Sequence, residues 1–274
     1  MQVAAGIEAI LAPNPSLMTG AGTTSYVVYG AGVARGCVVI DPGPDDEEHL
    51  SELADAGFAC GGVRTILVTH GHPDHDAGAA RLRELTGAPV LAWTLDGVES
   101  ADAMLADGAA VDAGGRRLVA LYTPGHRFDH LCFLAPESGV LFAGDLVAGA
   151  GTVVIAPPEG DLTDYMASLR RLRALDLRLI LPAHGPAIDK PWEVLEGYIR
   201  HREEREAQAL AGLAAGDRTV DALVARIYAE VDPALHPVAA LSVAAHLQKL
   251  EREGRVIRDA GAAGANGVEV WRPS

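Results

Sequence analysis

Residues 69–75 read Thr-His-Gly-His-Pro-Asp-His, and they place four strong metal-ligand types in six positions: His70, His72, Asp74 and His75, the pattern H-x-H-x-D-H. Imidazoles this close repel one another when protonated, whereas neutral imidazole is the commonest protein metal ligand. The plainer reading is a polar turn that caps a helix through Asp74 or Asp76. Further along, His126 follows Gly125, Asp145 follows Gly144, and His184 precedes Gly185. The whole set holds five histidines, two aspartates and no cysteine. Imidazole mixed with carboxylate suits zinc, manganese or iron rather than calcium or magnesium. Seven ligands exceed what one tetrahedral ion needs. They suit two ions sharing a carboxylate, which can hold a bridging hydroxide and stabilise charge on the attacked and leaving oxygens. No Ser-His-Asp order, thiolate nucleophile or phosphate-cradling glycine loop competes with this hydrolytic reading.

The motif follows the apolar run 63–68 and precedes an alanine-rich amphipathic segment, so it sits on a strand-to-helix loop. Other strands are expected at 26–29, 37–40, 90–93, 117–122, 131–134, 140–143 and 178–181. Helices are expected at 45–56, closed by Gly57, at 77–86, closed by Gly87, and at 161–175, where Tyr165 lies on the apolar side. Residues 94–115 read as loop. Five of the strands end in Asp41, His70, His126, Asp145 and His184, each beside glycine or proline. Strands of one sheet system that present ligand-type residues at the same edge assemble a site there.

From about Pro191 the character changes. A long charged helix is expected at 193–213, then helices at 219–231 and 238–253, then strands at 254–258 and 268–271 around a glycine-rich turn. Helix, helix, hairpin is the order of a winged helix. The chain therefore divides into a catalytic domain, 1–215 with the linking helix 191–215, and a small module, 216–274.

A net charge of -15, from 22 basic and 37 acidic residues, opposes nonspecific attraction to nucleic acid or anionic membrane. Residues 217–274 hold seven basic and eight acidic residues, which points the module to packing or a homodimer contact rather than DNA reading. Cys37, Cys60 and Cys132 are scattered, so they read as buried free thiols in a reducing cytosol. The N-terminus shows no signal peptide, and the weakly polar stretch 139–158 is broken by Asp145 and two prolines. A cytoplasmic protein without a membrane span is expected.

The motif, with His126, Asp145 and His184 at increasing distances, resembles the metallo-β-lactamase superfamily. The resemblance implies an α+β fold, an αβ/βα sandwich of two sheets between helical layers. It implies that His70, His72 and His126 bind one metal, that Asp74, His75 and His184 bind the other, and that Asp145 bridges them. Two zinc ions per chain are expected, with manganese or iron as alternatives. Asp74 would also orient the attacking water and pass its proton on, and Asp41 would orient the metal loop. His130 is either a support for the site or a core histidine. Tyr165 is either a substrate contact or core. His49, His201, His236 and His246 read as structural.

Residues 123–130, 141–145, 164–169 and 198–202, with the terminal module, resemble the β-lactamase-like protein 2 branch over nearly the whole chain. Ala183 departs from the glycine more usual before the last histidine, which should alter a turn without removing a ligand. The branch includes an endoribonuclease acting on single-stranded RNA, while other relatives cleave thioesters, esters or lactones in the manner of glyoxalase II. Only 38 residues separate Asp145 from His184, too few for the inserted domain of β-CASP-type nucleases. A persulfide-oxidising iron enzyme and a non-catalytic winged-helix regulator are the remaining readings. A small (thio)ester and single-stranded RNA stay open as substrates.

Overall fold

The computed structural model describes residues 1–30, 35–259 and 269–274. Its first compact unit comprises residues 1–124, 129–153 and 173–194. Seven strands form one sheet in the order β1 (Gln2–Ala4), β2 (Ile7–Leu11), β3 (Thr24–Val28), β4 (Cys37–Ile40), β5 (Val63–Leu67), β6 (Val90–Ala92) and β7 (Ala103–Met104). The first four are antiparallel, and β4 to β7 run parallel. A second sheet is built from β8 (Ala110–Asp112), β9 (Arg117–Tyr122), β10 (Leu131–Ala135), β11 (Val140–Gly144) and β12 (Leu179–Pro182), ordered β12-β11-β10-β9-β8.

Period-two alternation sorts the strand side chains between two layers. Val28, Val38, Ile40 and Leu67 of the first sheet meet Leu118, Leu131, Phe133 and Phe142 of the second in one inter-sheet core. The rings of Tyr26 and Phe142 meet edge to face at 5.2 Å within it, a geometry that adds about 0.5–1.5 kcal/mol beyond area burial. Val27, Val39 and Ile66 point the other way, onto Leu50 and Leu53 of α1 (Glu47–Ala59) and, past the short helix α2 (Pro73–Asp76), Leu82 of α3 (Ala79–Thr86). Within this unit a helix–sheet–sheet layering follows from that alternation.

Several boundaries differ from those expected. α1 runs through Gly57 to Ala59, because Gly57 packs where a Cβ would lie 2.3 Å from a Val63 methyl. Its glycine is there for close packing, not for stopping the helix. Residues 94–115 contain β7 and β8. Two strands, β1 and β2, precede the first one expected. The turn of the 26–40 hairpin lies outside the described residues at 31–34, as does most of the glycine-rich turn at 260–268.

The second unit comprises residues 125–128, 154–172 and 195–274. It holds α4 (Leu162–Arg173) up to Leu172 and most of α5 (Pro191–Ala215). α6 (Val220–Ile227), α7 (His236–Arg252) and the hairpin β13 (Val256–Arg258) with β14 (Trp271–Pro273) complete the winged-helix order. α6 is shorter than expected, ending at Ile227 where Tyr228 leaves helical geometry (φ -115°, ψ 28°), and Asp232 caps a separate 3-10 turn at Pro233–Leu235. Leu213, Leu223, Val224, Leu247, Leu250 and Trp271 form its core. Among the described residues no helix is long and apolar enough to cross a membrane.

Candidate metal centre

The loop after β5 is held by a carboxylate at the end of the neighbouring strand. Asp41, just past β4, is buried and adopts φ 51°, a left-handed conformation uncommon for a non-glycine residue. Its Oδ1 accepts the Thr69 N–H at 2.7 Å, and its Oδ2 accepts the Thr69 hydroxyl at 2.8 Å and His75 Nδ1 at 2.9 Å. Since the Thr69 hydroxyl donates to Asp41, it accepts at its other side from His70 Nδ1, 3.0 Å away. Both histidines are thereby held through Nδ1, which leaves Nε2 as the nitrogen each can offer a metal.

Gly71 lies between those histidines at a position where any side chain would collide. A Cβ there would sit 1.8 Å from the Gly97 carbonyl oxygen. Its N–H donates to Asp129 Oδ2 at 3.0 Å. His72 then starts α2, with Pro73 at the first helical position. His72 Nδ1 and His70 Nε2 approach to 2.8 Å.

His184 follows β12 on a turn anchored by the first sheet. Tyr26 donates its hydroxyl to Pro182 O at 2.7 Å, Thr24 N–H donates to Ala183 O at 2.8 Å, and His184 Nδ1 lies 3.3 Å from Gly22 O. Ala183 fits this turn without displacing the ligand. Asp145 follows β11, and its N–H donates to His130 Nε2 at 3.1 Å. His130 is fully buried, and its Nδ1 meets the Thr123 hydroxyl at 2.9 Å. An imidazole that accepts at Nε2 and donates at Nδ1 is neutral.

The ligand atoms of His70, His72 and Asp145 lie within 4.8 Å of one another, and so do those of Asp74, His75 and His184. Asp145 also reaches the second group: its Oδ1 is 3.3 Å from His184 Nε2 and 3.6 Å from His75 Nε2. Asp74 Oδ2 is 3.2 Å from His184 Nε2 and 3.5 Å from His75 Nε2. Two ligands each about 2.1 Å from a zinc ion stand roughly 3.0–3.4 Å apart at angles from 90° to tetrahedral. The donor spacing therefore fits an ion. So does the burial: His75 Nε2 has no hydrogen-bond partner, although its ring has no solvent exposure.

The protonation behaviour points the same way. Burial opposes charge on His75, but the carboxylates of Asp145 and Asp41 outweigh it and raise its pKa well above the usual histidine value. Burial likewise opposes charge on His184, while Asp145 and Asp74 hold it up at about 9. For Asp74, burial is outweighed by the hydrogen bond to His184 and the charge on His75, so its pKa is lowered. A place that attracts protons against burial is a place of strong negative potential, which favours a divalent cation equally.

His126 belongs to the second unit, on the turn after β9, where its Nδ1 meets Val154 O at 2.9 Å and so assigns any metal to Nε2. Tyr165, in the same unit, is fully buried beneath the Arg202 guanidinium, 5.3 Å from the ring centroid. His49 Nε2 pairs with Ser25 Oγ at 2.9 Å, away from the ligands. The residue reading passed over Thr69 and Asp129. Thr69 had a signal, adjacency to the first histidine; Asp129 had none, because its role depends on a backbone N–H 58 positions earlier.

Comparison with known proteins agrees with this geometry. A family model described as the metallo-beta-lactamase superfamily matches residues 18–184, and one described as the beta-lactamase associated winged helix domain matches residues 219–264. The chain is 33% identical over 265 residues to the beta-lactamase-like protein 2 homolog of Drosophila melanogaster, covering 90% of this chain and 88% of that one. It is 34% identical over 213 residues to the atrochrysone carboxyl ACP thioesterase of Aspergillus fumigatus, covering 74% of this chain and 64% of that one. A metallo-beta-lactamase family protein from Thermus thermophilus shares the fold with a TM-score of 0.80 at 22% identity, each chain covered in full. With two donor groups converging on Asp145 and a matching helix-helix-hairpin module, this chain belongs to the metallo-beta-lactamase superfamily and is a metal-dependent hydrolase with that superfamily's associated winged-helix domain.

Proposed function

We propose that the chain is a binuclear zinc hydrolase of acyl thioesters or related esters. His70, His72 and His126 would hold one ion, Asp74, His75 and His184 the other, with Asp145 shared between them. The observation that carries the two-ion arrangement is the position of Asp145, grouped with His70 and His72 while its Oδ1 faces His75 and His184. Bound as a pair, such ions supply a hydroxide nucleophile at neutral pH and polarise the scissile carbonyl. Asp41 and Thr69 hold His75 and His70 in register for this, and His130 fixes the Asp145 backbone. Asp74, whose side chain is 27% exposed, would take the proton from the attacking water and deliver it to the leaving group.

The thioester reading is supported over RNA cleavage by charge. The segment 94–107, which runs past Gly71 and includes β7, carries Asp96, Glu99, Asp107 and an Asp102 paired with Arg83, and itself has no lysine or arginine. A phosphodiester chain would meet like charge there. A relative named as an ACP thioesterase adds to this. The test is a turnover panel of acyl thioesters, a lactone and a short single-stranded RNA, with zinc or manganese. Thioester hydrolysis lost in His126→Ala and Asp74→Ala is the expected result. RNA cleavage alone, lost in the same variants, would replace this reading with an endoribonuclease, and one iron per chain would replace the zinc pair.

A further inference from the structure

Trp93 and Tyr122 stack face to face, with ring centroids 3.7 Å apart and planes 10° from parallel. Both pack on the inter-sheet core, Trp93 one residue past β6 and Tyr122 at the end of β9, so each sheet supplies one ring. Strand register sets them level with the metal loop. Val68 N–H donates to Leu91 O at 3.0 Å. Trp93, two residues on, has therefore advanced about 6.6 Å towards the ligand end. Tyr122 pairs with Leu131, whose N–H donates to Thr69 O at 2.8 Å, one residue before His70.

Both rings are half-buried rather than sealed. Leu95 follows Trp93 two residues on and is 46% exposed, and Met104, paired with Ala92, is 62% exposed. Between them lie the acidic residues Asp96, Glu99 and Asp102, the last paired with Arg83 of α3 at 2.9 Å. A stacked indole and phenol form a rigid apolar surface that costs little entropy to use, and a flat group would stack on the outer face that a ring does not give to its partner. Nucleobases stack as well, but they bring phosphates towards the acidic loop.

We infer that the Trp93–Tyr122 pair is the acyl subsite of the hydrolase, selecting flat, conjugated acyl groups over acetyl. The inference rests on the thioester reading above. The test uses the zinc-loaded full chain and two thioethers that cannot be hydrolysed, S-(2-naphthylmethyl)- and S-ethyl-N-acetylcysteamine, titrated by calorimetry beside a single-stranded RNA octamer. The wild type should bind the naphthyl ligand at least tenfold more tightly than the ethyl one. Trp93→Leu should shrink that ratio below threefold with ethyl affinity and zinc content unchanged, while Trp93→Phe keeps most of it. Should Trp93→Leu lose zinc, Tyr122→Leu reads the same wall from the other sheet. A ratio unmoved by these changes, or both thioethers weakened equally, would mean that the pair only plugs the core. RNA bound more tightly than naphthyl, and dependent on Trp93, would also overturn it. The two readings fail distinguishably: turnover of thioesters without ring-dependent preference removes the subsite alone, whereas ring-dependent binding without any thioester turnover removes the proposed reaction and, with it, the assignment of the ring pair to an acyl group.

Discussion

The Thr69 hydroxyl determines which nitrogen His70 presents. It donates to Asp41 Oδ2 and so can only accept from His70 Nδ1, which leaves Nε2 as the ligand. Thr69→Val keeps the volume and removes both bonds. Groups that orient metal-bound histidines are commonly worth about 10–100-fold in metal affinity. That loss is expected for zinc by chelator competition, with Thr69→Ser restoring most of it; unchanged affinity in the valine variant would show that packing alone orients the ring. Asp129 works on the backbone instead. Its carboxylate accepts from Gly71 N–H while the Gly97 carbonyl closes the other side. Asp129→Ala should destabilise the fold by about 1–3 kcal/mol, the loss of a hydrogen bond between a charged group and a part-buried N–H. Asp129→Asn retains an acceptor and should recover more than half of that in urea unfolding.

Loop ends carry the site, and glycine placement decides whether they reach it. Gly22 adopts φ 138°, and a Cβ on it would sit 2.1 Å from Ala12 O. Its carbonyl faces His184 Nδ1. Gly22→Ala should therefore lower stability by about 1–3 kcal/mol through backbone strain alone, and weaken the ion nearest His184 as the carbonyl shifts. A thermal melt with and without zinc separates the two effects: a variant whose zinc-induced rise in Tm matched the wild type would show that the carbonyl had not moved. The contrast between legible and illegible parts follows from the same geometry. Apolar runs and a polar residue past each strand end mark where β4, β5, β11 and β12 stop, so Asp41, His70, Asp145 and His184 could be aligned from that recurrence. What supports them comes from far along the chain, as with Gly22 beside His184 or Tyr26 beside Pro182. A carbonyl has no residue type, so no pattern announces it. Gly57 misled for a related reason: a glycine that stops a helix and one that lets Val63 pack against it look identical in sequence.

Across the whole molecule the charge is strongly acidic, at -15, yet one region of the second unit gathers cations around a buried imidazole. His246 on α7 is 2% exposed, and neither of its nitrogens has a hydrogen-bond partner. Burial first, then the charges of Arg202 and Lys249, depress its pKa to about 3. The imidazole is thus neutral in the fold and protonated in the unfolded chain below about pH 6.5. With more protons bound by the unfolded state, stability rises with pH across the window between those values and falls as acid is added. The limiting slope for one such group is about 1.4 kcal/mol per pH unit. His246→Leu has nearly the same volume, leaves no orphan nitrogen and cannot titrate. At pH 7 the variant should match or exceed the wild type. At pH 5 it should exceed it by up to about 2 kcal/mol more than at pH 7, since roughly one and a half units of the window then count against the histidine. Urea unfolding of both proteins at the two pH values checks this, the difference between them cancelling every other titrating group. An equal gap at both values would mean that His246 gains a proton inside the fold and that its cationic neighbours yield to it.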